Sequence, residues 1–117
     1  MEYEVSLDIL SGLPNPAWRL SVTDADRLRQ WLGTLPPKEP LLSSEPPLGY
    51  RGIAVRRVAD PTGVFQIHVF DESVVANGNT LSDSGRKLEE WLLRSGKPQV
   101  SESLWKAALA AINETRV

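Results

Sequence analysis

With 117 residues, 41% of them hydrophobic and 24% charged, the chain has the length and apolar content of one folded domain, not of a disordered segment. A net charge of −2 supplies no general positive field for nucleic acid. The absence of cysteine excludes disulfides, thiolate nucleophiles, zinc–thiolate sites and iron–sulfur ligation.

Residues 3 to 9 alternate, with Tyr3, Val5, Leu7 and Ile9 on one side and Glu4, Ser6 and Asp8 on the other, the period of a half-buried strand. Ser11-Gly-Leu-Pro-Asn-Pro16 breaks it, and residues 17 to 22 return as a second strand with Trp18, Leu20 and Val22 on one face. Thr23 is the expected cap of a first helix, with Asp26 three residues on. Leu28, Trp31, Leu32 and Leu35 form its apolar stripe, and Pro36-Pro37 ends it. Residues 36 to 49 hold five of the nine prolines and read as an extended loop.

Residues 50 to 58 read as a strand with Ile53 and Val55 inward; strict alternation sends Arg56 to the face opposite Arg51 and Arg57. Asp60-Pro-Thr-Gly63 is a tight turn, and Val64 to Phe70 comes back with Phe65, Ile67 and Val69 on one face. Val74 to Ala76 adds a short strand before Asn77-Gly78, a type I′ turn sequence. A second helix is expected from Ser82 to Ser84 onward, carrying Leu88, Trp91, Leu92 and Leu93 and stopping at Ser95-Gly96. A third, capped by Ser101-Glu-Ser103, runs to about Ile112 on Leu104 or Trp105, Ala108, Leu109 and Ile112.

The order strands, helix, loop, strands, helices predicts a single α+β domain over residues 1–117, with a proline-rich loop at 36–49. Its small antiparallel sheet has about four to five strands, with two or three helices packed on one face. The Leu-x-x-Trp-Leu pattern at 28–32 and again at 88–92 reads either as a duplicated strand-strand-helix unit or, the favoured reading, as two amphipathic helices using the same core residues. The acidic start and the lack of an apolar run point to a cytoplasmic protein without a membrane anchor.

The single histidine, His68, falls on the polar side of its strand, facing solvent or a partner, with Asp8 or Arg56 as its conceivable neighbours. Asp71-Glu72 and the stretch from Asn77 to Asp83 are oxygen-rich but lack calcium-loop spacing; turns and a helix cap account for them. Neither phosphate-binding glycine loops nor a G-x-S-x-G elbow occurs. No metal, cofactor or nucleic-acid partner is therefore expected.

The most distinctive stretch is Ser11-Gly-Leu-Pro-Asn-Pro-Ala-Trp18. It resembles the Ser-Gly-x-Pro-Asn-Pro-x-Trp signature of a group of small uncharacterised bacterial proteins, and the likeness extends to Leu48-Gly-Tyr-Arg-Gly52 and Leu88-Glu-Glu-Trp-Leu92, with Leu13 where arginine is more usual. The resemblance implies a shared fold and carries no activity. The two prolines restrict the backbone around Asn15, which suits either recognition or a tight connection anchored by Trp18.

These residues favour a non-enzymatic interaction module, self-associating or acting as an accessory subunit, with a protein partner or a homo-oligomer. Its candidate contact residues are Asp8, Asn15, Trp18, Arg56 and His68, and an exposed tryptophan would mark the interface. The competing reading is a small enzyme or small-ligand binder in which Asp8, Asn15, Arg56 and His68 converge in a pocket.

Overall fold

The structure is a computed structural model that describes residues 2–9, 15–39, 50–58, 66–76, 78–97 and 100–114. Six strands form one antiparallel sheet: β1 (Tyr3–Ile9), β2 (Ala17–Arg19), β3 (Tyr50–Arg57), β4 (Gln66–Phe70), β5 (Ser73–Ala76) and β6 (Asn79–Ser82), in the order β2-β1-β3-β4-β5-β6. Helices α1 (Val22–Leu32), α2 (Lys87–Ser95) and α3 (Glu102–Glu114) complete the α+β fold. None of them is long and apolar enough to cross a membrane.

Alternation in β1 and β3 sends Tyr3, Val5, Leu7, Ile9, Ile53 and Val55 under the helices, where they meet Ile67, Val69 and Val74. The helices return Ala25 and Leu28 from α1, Leu88, Leu92 and Leu93 from α2, and Trp105, Ala108 and Ile112 from α3. Trp31 and Trp91 stand 5.6 Å apart between α1 and α2 and are half-buried, so the two similar helical patterns meet through their tryptophans.

Several boundaries differ from expectation for identifiable reasons. Strand β2 stops at Arg19, and Val22 opens α1 with 79% of its surface exposed instead of facing inward. The helix cap is Ser21, not Thr23: the Ser21 hydroxyl accepts the Asp24 N–H at 3.1 Å. That frame directs Ala25 and Leu28 into the core and leaves Trp31, Leu32 and Leu35 half-buried.

A sixth strand, β6, occupies residues expected to lead into the second helix. Its outer edge is met by the start of the proline-rich segment. Lys38 donates to the Thr80 carbonyl at 2.9 Å, Ser82 donates to the Pro36 carbonyl at 2.8 Å, and Pro37 bridges Leu81. Residues 40–49, the Asp60-Pro-Thr-Gly63 turn, Phe65 and Asn77 lie outside the described residues.

The β4–β5 turn is built from Asp71 and Glu72 at φ of 50° and 67°, a left-handed region where glycine or asparagine is the usual choice. The third non-glycine residue in that region among those described is Arg86, at 57°, in the short 3-10 segment Ser84–Arg86. Two of the three, Asp71 and Arg86, contact one buried carboxylate, described below.

Candidate functional site

The helices cover one face of the sheet. Over the other, no described helix or strand lies. Register aligns its central row, strand by strand from β2 to β6, as Ala17, Ser6, Ala54, His68, Val75 and Thr80. A second row holds Arg19, Glu4, Arg56 and Gln66. Val75 is 47% exposed there and is, with Val22, one of two exposed large hydrophobic residues among those described.

Asp8, Arg56 and His68 share this face but do not form one centre. Arg56 donates to Glu4 at 3.0 Å from Nε, with Nη2 2.9 Å away, and Arg19 pairs with Glu2 at 2.6 Å. Asp8 pairs with Arg51 at 3.4 Å. Arg51 therefore reaches the same face as Arg56, contrary to alternation. A bulge between the Leu7–Ile53 and Ile9–Tyr50 pairs sets both Arg51 and Gly52 opposite Asp8 and reverses the side on which Arg51 emerges.

Gly52 makes the bulge possible. Its φ is 112°, and a Cβ there would stand 2.7 Å from the Val69 carbonyl and 3.0 Å from His68 Cε1. The imidazole thus leans into the space a side chain at position 52 would fill, and its cross-strand neighbours are Ala54 and Val75. No acid is paired with it among the described hydrogen bonds and ion pairs.

Asn15 and Trp18 have other tasks. The Asn15 side-chain carbonyl accepts the Ile9 N–H at 3.3 Å, standing in for a ladder partner where Pro16 closes the β1–β2 pairing. Trp18 lies on the helix-covered face, 4% exposed, so it is a core anchor and not part of an open-face contact. Its indole N–H donates to the Ser95 hydroxyl at 2.9 Å, and its ring covers Gly96, where a Cβ would meet Cζ2 at 2.5 Å. Trp105 is buried as well and donates to the Leu93 carbonyl at 3.1 Å. Of the four tryptophans, two are core and two half-buried, and none stands out as an exposed anchor.

The polar cluster that sequence reasoning missed lies between the sheet and α2. Glu89 is 0% exposed and accepts Arg86 Nε at 2.8 Å, Arg86 Nη2 at 2.7 Å, the Asp71 N–H at 3.0 Å and the Tyr50 hydroxyl. Beside it, Asp83 caps α2 by accepting the Leu88 and Glu89 N–H groups at 2.9 and 3.1 Å. Arg86 stacks over Phe70 at 5.3 Å.

Burial, then the Glu89 charge, drives the Tyr50 hydroxyl far above its usual range, so it remains a donor. Burial also raises the Asp83 carboxyl. Burial opposes the charge on Arg86, yet its hydrogen bonds and attraction to Glu89 hold it above its ordinary value. A signal was present in the sequence: Glu89 falls on the same stripe as Leu92 and Leu93, with Arg86 one turn before it.

A separate cavity of about 280 Å³ opens where the chain leaves α2 and enters α3, lined by Lys97, Val100, Glu102, Trp105 and Lys106. Both of its cations are engaged, Lys97 over the Trp105 ring at 5.1 Å and Lys106 with Glu102 at 3.0 Å. Among the described residues, no group of three or more metal-ligating side chains comes together.

The fold is thus a two-layer α+β sandwich in which one sheet face carries no described helix or strand. Comparison of the chain with protein-family models, with curated proteins and with solved structures gives no match.

Proposed function

We propose that the chain is a protein-interaction module whose contact surface is the open face of the sheet. The observation that carries this reading is the composition of that face. Its central row is small or apolar apart from His68, and its flanking charges are neutralised in pairs within the chain. Such a surface offers area and shape without a net field, which suits a protein partner better than a polyanion. The rigid scaffold beneath it, locked at Glu89, keeps the surface preorganised. An accessory-subunit role is one form of the same reading.

The test is a photo-crosslinking amino acid placed in the full chain at Ala54, on the open face, or at Ala110, exposed on α3. In cells expressing each version, Ala54 is expected to yield discrete protein adducts and Ala110 none. Adducts from Ala110 alone would sink the reading.

A further inference from the structure

Building on that reading, we infer that the occupant of the open face is a second copy of this chain, stacked sheet on sheet about a two-fold axis parallel to the strands between β3 and β4. The argument starts from side-chain size along the central row. From one edge to the middle it reads Ala17, Ser6, Ala54; from the middle to the other edge it reads His68, Val75, Thr80. The first half is small and the second bulkier. A two-fold axis between the halves sets Ala54 against His68, Ser6 against Val75 and Ala17 against Thr80. Every projection meets a recess, and because the contact is isologous each pairing occurs twice.

Charge agrees with this arrangement. In the flanking row the same axis sets Arg56 over the uncharged Gln66, so the Arg56 side chains of the two copies do not meet. A two-fold axis along the row itself would instead set Glu4 against Asp8 and Arg56 against Arg51, both repulsive. Stacked sheets rotate by about 30°, which keeps the pairs nearest the axis, Ala54–His68 and Ser6–Val75, in best register.

Area agrees as well. Six strands at a spacing of about 4.8 Å span about 29 Å, and a five-residue strand runs about 17 Å. Each copy therefore offers about 500 Å² in projection, and the pair about 1,000 Å², where specific interfaces begin.

The experiment is sedimentation velocity and light scattering on the full chain from low micromolar to millimolar concentration. The wild type is expected to show the mass of two chains. Ala54→Arg and Val75→Glu are expected to return it to one chain, with circular dichroism unchanged; if Ala54→Arg does not fold, Val75→Glu decides. Ala54→His and His68→Ala, each acting twice across the axis, are expected to weaken the dimer by about tenfold or more, and the double variant to restore it.

A wild type that stays one chain at millimolar concentration overturns the second copy and leaves the open face to another protein. A dimer unaffected by both Ala54→Arg and Val75→Glu overturns the second copy and the open-face reading together. A double variant no tighter than either single one overturns the register.

Discussion

The two faces of the sheet hold their ion pairs under opposite conditions. On the covered face, Arg86 and Glu89 are 2% and 0% exposed and bind each other through two hydrogen bonds, with the Asp71 N–H and the Tyr50 hydroxyl also donating to the glutamate. On the bare face, Arg56 and Glu4 meet with the arginine side chain 61% exposed. Charges withdrawn from water must be completely satisfied, or the desolvation cost exceeds the attraction. Charges left in water gain little from pairing and give it up readily to a new contact. The first arrangement fixes one structure, and the second leaves pairs that water can exchange.

Three changes test how far apart the two faces stand. The largest effect is expected from Glu89→Ala. It strands the buried guanidinium and the Tyr50 hydroxyl and removes the acceptor that steadies the Asp71–Glu72 turn, a loss of about 3–5 kcal/mol. A melting temperature lower by roughly 10–20 °C is the expected readout. A drop of only a degree or two would mean that water replaces the carboxylate freely and that the cluster is not sealed.

An intermediate effect is expected at Asp83. Its carboxyl titrates above the ordinary aspartate value of 3.8. The unfolded chain gives up that proton first, so between the two values the folded state holds more protons, and stability falls as pH rises through the interval. Asp83→Asn is expected to remove that slope from the plot of melting temperature against pH. It also weakens the α2 cap by about 1 kcal/mol. A slope unchanged in the variant would assign the titration to another group.

The smallest effect is expected from Arg56→Ala, about 0–1 kcal/mol in urea unfolding of the single chain, because the lost pair is screened by water. A loss of several kcal/mol would make the bare face as structural as the covered one.

Much of the fold was legible in the residues. The alternation of β1, the inward set of β3, the polar-side position of His68 and the apolar stripe of α3 follow from period alone. Strand β6 did not, because Asn79-Thr-Leu-Ser82 has one large apolar residue and owes its extended form to β5 on one side and Pro36 to Lys38 on the other. Ser21 and Thr23 are both competent caps, and burial of Ala25 and Leu28, a tertiary matter, decides between them.

The candidate site was only half legible. Asp8, Arg56 and His68 were placed on one face by alternation. The reversal of Arg51 depends on a bulge whose one local sign is Gly52. Glu89 was hidden because a glutamate beside leucines on a helix ordinarily points to water; only the three-dimensional meeting of Arg86, Tyr50 and the Asp71 backbone makes it a core residue.

The sheet is closed to lateral growth at both ends. At one margin stands a strand only three residues long, preceded by Pro16; at the other, a proline pair lies against β6, and prolines bring no N–H to extend a ladder. Both margins are thus blunted against edge-to-edge addition of chains into a fibre. A pairing through the flat side, as proposed above, would by contrast be finite, because it stops once that side is covered.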